Sequence, residues 1–139
     1  MNDKDVEYYL GLALMEAEKA KRLNEVPIGA IVVNNSKTIT GKGFNQTENK
    51  SDPIAHAEIL AIQDAAKLNN DWRLDDFILF TTLEPCLMCL GAIKEARISR
   101  VYFGCENNNN VKKEKQIIIT NINSQSCKVI LKKFFQKLR

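Results

Sequence analysis

Two short, well-separated segments constrain the fold of this chain more than any other feature. Pro53-Ile54-Ala55-His56-Ala57-Glu58 and Pro85-Cys86-Leu87-Met88-Cys89 each place metal-ligand side chains shortly after a proline. Both run into apolar residues at helical spacing, so each is read as the opening of a helix with proline near its first turn. Cys86 and Cys89 are three positions apart and share one helix face. A helix N-terminus carries partial positive charge, which favours the thiolates a metal requires. His56, the only histidine in the chain, offers a third ligand from the other helix start. Three protein ligands with one open position describe a catalytic zinc site, whereas a closed structural site uses four. A fold for this chain has to bring the two helix starts together.

Taken singly, these residues are ambiguous. A lone histidine is ordinarily a core or surface residue, and a lone C-x-x-C is shared with redox motifs. Glu58 sharpens the reading. In mid-helix, residues two apart point to opposite sides. At a helix start, with the metal beyond the helix end, a short histidine and a longer glutamate can converge. Glu58 is then a proton shuttle and not a ligand, whereas a thioredoxin-like role for the cysteine pair leaves His56 and Glu58 unexplained. The combination H-x-E…P-C-x-x-C is the signature of zinc nucleobase deaminases. Zinc in such a site brings the pKa of a water to about 7. The carboxylate then relays a proton from that water to the ring nitrogen and on to the departing ammonia.

The rest of the chain supplies an α/β frame. Val6, Tyr9, Leu10, Ala13, Leu14 and Ala17 lie at helical spacing, behind Asp3 and Asp5. Strands are expected at Ile28 to Val33 and, past an Asn34-Asn35-Ser36 turn, at Lys37 to Gly43. Asn45 to Asp52 is polar and reads as a loop before the helix that Pro53 opens. Further strands are expected at Phe77 to Thr82, Arg100 to Gly104 and Ile117 to Thr120. A helix runs from Pro85 to about Arg97, Asn107 to Asn110 forms a loop, and Ser124 to Leu138 is a basic amphipathic helix. The order αββαβαββα, without repeats or a linker, reads as one α/β domain over residues 1–139.

The length of 139 residues suits one hydrophobic core. No apolar run approaches the roughly 18 residues that span a bilayer, and the acidic start MNDKDVEYYL does not resemble a secretory signal, so no membrane contact and a cytoplasmic location are expected. In that compartment the four cysteines do not form a disulfide framework; Cys105 and Cys127, outside the close pair, are expected to be buried apolar residues. The net charge of +3 is unevenly spread, because residues 1–110 hold 12 basic and 16 acidic side chains while residues 111–139 hold 8 and 1. A basic C-terminal segment suits a polyanion, although the same lysines could be the solvated face of a terminal helix.

The blocks VPIGAIVV (26–33), GKGFN (41–45), DPIAHAEILAI (52–62), TLEPCLMCLGAI (82–93) and ARISRVYFG (96–104) closely resemble those of bacterial tRNA adenosine deaminases. Cys127, Phe134-Phe135 and the basic tail are similar as well. The resemblance implies a cytidine deaminase-like three-layer α/β/α fold with a central mixed five-stranded sheet. It implies one Zn2+ per subunit held by His56, Cys86 and Cys89, with Glu58 as the proton shuttle. Asn45 is implied as a contact to the flipped base or its ribose, although its Gly-x-Gly-x-Asn setting would equally suit a turn residue. The backbone of Ala57 is implied beside the base, and Pro27, Ile28 and Leu83 as pocket walls. The implied substrate is adenosine at the wobble position of a tRNA anticodon stem-loop, and the implied assembly is a homodimer. An anticodon loop suits this chemistry because its bases are already partly unstacked.

After Phe103-Gly104 the chain departs from the family. Cys105-Glu106-Asn107 stands where a small residue, a base and an aspartate are usual, and about a dozen residues of loop and short helix are missing before Ile117. The expected consequence is an altered RNA footprint, with some activity on single-stranded DNA and the basic tail compensating for the missing loop. Two other readings are open. One is a small-molecule deaminase of the same superfamily, acting on guanine or cytosine. The other is a zinc-stabilised binding subunit without activity, against which the intact Glu58 argues.

Overall fold

The computed structural model describes residues 1–107 and 116–138. Of the expected Asn107–Asn110 loop and the lysine-rich link behind it, everything past Asn107 up to Gln116 lies outside the described residues. The elements are α1 (Asp3–Arg22), β1 (Gly29–Val33), β2 (Ile39–Phe44), α2 (Ala57–Asn69), β3 (Ile78–Leu83), α3 (Leu87–Glu95), β4 (Arg100–Cys105), β5 (Ile118–Asn121) and α4 (Gln125–Lys137). They follow the expected order. The sheet runs β2-β1-β3-β4-β5. β1 is antiparallel to both β2 and β3, whereas β3, β4 and β5 are mutually parallel, so the sheet is mixed.

β1 (GAIVV) is buried at every position because both faces of the sheet are covered. Ala30 and Val32 join Ala57, Ala61 and Ala65 of α2 on one side, and Ile31 and Val33 join Val6, Tyr9 and Ala13 of α1 on the other. On the α1 side the Phe80 ring lies between Tyr9 and Tyr102, with centroids 5.2 Å from each. Burying a ring of that size stabilises the fold by about 3 kcal/mol. α4 completes this layer, packing Cys127, Ile130 and Leu131 against Leu10 and Ala17. Cys105 and Cys127 are buried as expected, and all four cysteines are free thiols. α2 and α3 form the third layer.

Most boundaries differ from the sequence expectation by one or two residues, and at three helix or strand starts the local cause is visible. α1 is capped by Asn2, which exchanges side-chain and backbone bonds with Asp5 in a capping box. The second strand begins at Ile39 and not Lys37, because the Asn34 carboxamide accepts from Ser36 and Thr38 N–H and holds Lys37 in a left-handed turn at φ 63°. Pro53 does not open α2. Asp52 accepts from Ile54 N–H at 3.0 Å and from Ala55 N–H at 3.2 Å, making a separate turn, and the helix starts four residues later at Ala57.

β2 fixes the seat of α2. A β carbon on Gly43 would collide with the carbonyl oxygen of Ala57, and one on Gly41 with that of Ala61. Two glycines facing an alanine stripe let the helix rest directly on the strand backbone. The height of the first turn of α2, which carries the histidine and glutamate, is thereby set by the sheet.

Candidate active site

Because β1 is antiparallel to its two neighbours, its beginning lies beside the ends of both. Gly29 pairs with Phe44 at the end of β2 and donates its N–H to Thr82 Oγ1 at 3.1 Å near the end of β3. The chain leaves β2 into the loop that ends at His56, and leaves β3 through Glu84 and Pro85 to Cys86. His56 is the N-cap residue of α2, Cys86 is that of α3, and neither side chain caps its own helix. An N-cap side chain ordinarily folds back onto the first-turn N–H groups. Here both are left free, at the positive ends of two helices.

His56 Nδ1 lies 3.5 Å from Cys89 Sγ and 3.7 Å from Cys86 Sγ. The ligand atoms of the three residues all fall within 4.8 Å of one another. Tetrahedral zinc with ordinary Zn–N and Zn–S bonds holds such atoms about 3.5 Å apart, so the set fits that ion with a fourth position open. The electrostatics agree. Burial, then the charges of Glu58 and Cys86, pushes the Cys89 thiol far above its usual range. A coordinated dication reverses that and deprotonates a thiol outright. Desolvation lowers the His56 pKa, which favours the neutral imidazole that ligates metals.

Glu58, in the first turn of α2, is 4% exposed. Burial raises its carboxyl above the usual range, opposed by its own backbone N–H and the Cys89 thiol. A raised pKa is what a group that both takes and gives a proton near neutrality requires. Asn45 is 6% exposed. Its N–H donates to Ile28 O at 3.0 Å and its Nδ2 to Val26 O at 3.4 Å, while Oδ1 is a buried acceptor without a partner. A turn residue would use that oxygen locally. An unmet buried acceptor at the start of the loop that ends at His56 fits a ligand that brings the donor.

Of the other expected residues, Pro27 and Ala57 are buried and Ile28 and Leu83 half-buried. Ile28 and Leu83 both pack against the cluster formed by α1 and α4. Ala57 is part of the core between α2 and the sheet, its carbonyl lying against Gly43. In the stretch after Gly104, Glu106 is exposed and Asn107 N–H donates to Glu84 Oε1 at 3.1 Å. The sequence reading missed Glu25, which is 1% exposed and accepts three N–H bonds from the β2–α2 loop. A charged residue directly before the apolar VPIGAIVV run was the available signal.

The MafB19-like deaminase family profile matches residues 4–139. A tRNA-specific adenosine deaminase of Buchnera aphidicola subsp. Baizongia pistaciae is 39% identical, covering 100% of this chain and 93% of its own. Other bacterial tRNA-specific adenosine deaminases, at 45–46% identity, are longer, and the chain spans 55–62% of them. Among solved structures, a tRNA:A34 deaminase, described for A-to-I editing at the wobble position of transfer RNA, superposes with TM-score 0.76 at 32% identity, covering 83% of this chain and 97% of that one. A guanine deaminase from Bacillus subtilis gives TM-score 0.68 at 39% identity, covering 76% and 66%. The five-stranded mixed sheet between two helical layers is the cytidine deaminase-like fold of these neighbours.

Proposed function

The chain belongs to the MafB19-like deaminase family, with a tRNA-specific adenosine deaminase as a full-length relative, and we propose that it hydrolyses adenosine to inosine at the wobble position of a tRNA anticodon stem-loop. The observation that carries this reading is a buried carboxylate, Glu58, set against Cys89 of a ligand triad that fits zinc. His56, Cys86 and Cys89 hold the ion, one per subunit. When bound, zinc supplies the Lewis acidity that lets water attack at neutral pH.

The chain's own residues do the rest. Glu58 takes a proton from the attacking water and passes it to the ring nitrogen. Water oxygen adds to the amino-bearing carbon. Glu58 then moves the second proton to the amino group, the C–N bond breaks, and ammonia leaves. Asn45 Oδ1 accepts a hydrogen bond from the flipped base or its ribose. The backbone of Ala57 lies beside the base, and Pro27, Ile28 and Leu83 help wall the pocket.

Residues 1–139 act as one domain, in the cytoplasm. Among the described residues no helix is long and apolar enough to cross a membrane. Ile54, Leu87 and Met88, exposed near the ligand residues, support a homodimer. The cations of α4 and of the end of α1 support RNA contact. Of these, Lys21, Arg22, Lys133 and Lys137 line a groove of about 840 Å³ together with Phe134 and their neighbours.

The test is nucleoside mass spectrometry of an anticodon stem-loop carrying wobble adenosine, after incubation with wild type and with Glu58→Ala. Inosine from the wild type alone is the expected result. The likeness to a guanine deaminase favours a second reading, a small-molecule nucleobase deaminase. Folded, zinc-loaded protein that leaves the stem-loop unchanged and releases ammonia from free guanine would replace the first reading with the second.

A further inference from the structure

Three carboxylates are buried among the described residues. Glu16 pairs with Lys19 at 2.5 Å, and Glu58 is assigned to proton transfer. Glu25, 1% exposed, has neither role. Its oxygens accept from three amide donors: Glu48 N–H at 3.1 Å on Oε1, and Asn49 N–H at 2.7 Å and Asn49 Nδ2 at 2.6 Å on Oε2. Asn49 Nδ2 also donates to Leu23 O at 3.2 Å. The segment before β1 and the loop before α2 are therefore laced together around one carboxylate. Burial alone would raise its pKa, but the Asn49 and Glu48 donors outweigh that and hold it below the usual value, so Glu25 is ionised.

The lacing continues into the pocket. One residue past Glu25, Val26 O receives Asn45 Nδ2, and Ile28 O receives Asn45 N–H. The Asn45 carboxamide is thus oriented from the segment that Glu25 anchors, with Oδ1 left for a ligand. At the far end of the same loop, Gln46 N–H donates to Ala55 O at 3.0 Å, next to His56.

We propose that Glu25 is a positioning residue for substrate recognition. By clamping residues 48 and 49 onto the segment 23–28, it aims Asn45 Oδ1 at the nucleoside and so sets KM, leaving metal binding and proton transfer to His56, Cys86, Cys89 and Glu58. This rests on the reading of Asn45 as a nucleoside contact in an adenosine deaminase.

Glu25→Gln keeps the shape but turns one acceptor into a donor facing N–H groups. The zinc content of the variant should match wild type, KM for the stem-loop should rise about tenfold or more, and kcat should stay within about threefold. In the Asn45→Ala background the same substitution should raise KM by less than about twofold, because the residue it acts through is gone. Glu25→Asp, which keeps the charge, should fall between wild type and Glu25→Gln. Unchanged KM, or a full-sized effect without Asn45, overturns the proposal. If Glu25→Gln does not fold, Glu25→Asp alone decides by the same KM criterion. If wild type makes no inosine, the adenosine deaminase reading fails separately. The Asn45 side-chain amide resonances of zinc-loaded protein then decide the positioning: a shift between wild type and Glu25→Asp is expected, and unmoved signals reject it.

Discussion

His56 Nδ1 and Cys89 Sγ lie 3.5 Å apart although 33 residues separate them in the chain. Only the pairing of β1 between β2 and β3 makes this contact possible, since it brings the starts of α2 and α3 to one end of the sheet. Both lie at the N-terminal ends of helices that pack on the same face of the sheet, so a metal held between them would tie the two helices together near their electropositive ends.

Removing the metal should therefore loosen the fold. Purified protein should carry about one zinc per chain, and Cys89→Ser should carry less than a tenth of that. Stripping the ion with a chelator should lower Tm by several degrees, because a ligand bound only by the folded state stabilises it by mass action. Elemental analysis and calorimetry check both. A chelated protein with unchanged Tm would remove zinc from the folding account.

Glu58→Gln should retain zinc and fold, while kcat falls by about a thousandfold or more, at the upper end of what general acid–base catalysis contributes. Single-turnover assays beside elemental analysis make the comparison. Wild-type-like turnover would end the assignment of Glu58 as the shuttle.

Asn45→Ala separates a functional from a structural role. The variant loses the Nδ2 bond to Val26, worth about 1 kcal/mol, but also removes an unmet buried acceptor that costs about 1–3 kcal/mol. Tm should hold or rise while KM for the stem-loop rises roughly tenfold. A large drop in Tm with unchanged KM would mean that Asn45 is a turn residue after all.

Gly43→Ala puts a methyl group against the Ala57 carbonyl. The helix must move off the strand, at a cost of about 2–3 kcal/mol, and zinc affinity should fall because His56 moves with it. Titration with a fluorescent zinc chelator reads the second effect. Unaltered zinc affinity in a folded variant would show that the loop, not the strand, sets the histidine.

Substituting Lys21, Lys133 and Lys137 with Gln should weaken stem-loop binding and flatten its salt dependence, by about 0.7–0.9 in log–log slope for each phosphate no longer neutralised. Lys132 is exposed but does not line the groove, so its change alone should matter less. Equal slopes for all variants would leave these lysines as a solvated helix face. Matched RNA and DNA hairpins extend the test to the divergent stretch from Cys105, where DNA turnover above a no-enzyme blank is expected.

Much of this architecture was legible because local chemistry and tertiary need agree. The apolar run of β1 announces a strand, and the cysteine pair behind Pro85 announces a helix start. The histidine segment was less legible. Pro53 suggests a helix opening, but Asp52 captures the backbone first, a competition between side-chain acceptor and helix that spacing does not reveal. Glu25 was hidden for a different reason. A buried carboxylate is tolerable only when distant N–H donors meet it, and those come from Glu48 and Asn49 on a loop whose path depends on the whole sheet.

The sheet grows outward in chain order from β3 through β4 to β5, while every ligand, shuttle and pocket residue named above lies between Glu25 and Cys89. The candidate site residues therefore come from a continuous stretch near the middle of the chain, while the residues beyond α3 extend the sheet and, through α4, cover its α1 face. A change of length or charge in that later portion would leave every candidate site residue in place. Divergence among such proteins should consequently accumulate past β4, and substrate preference should change there long before catalysis does.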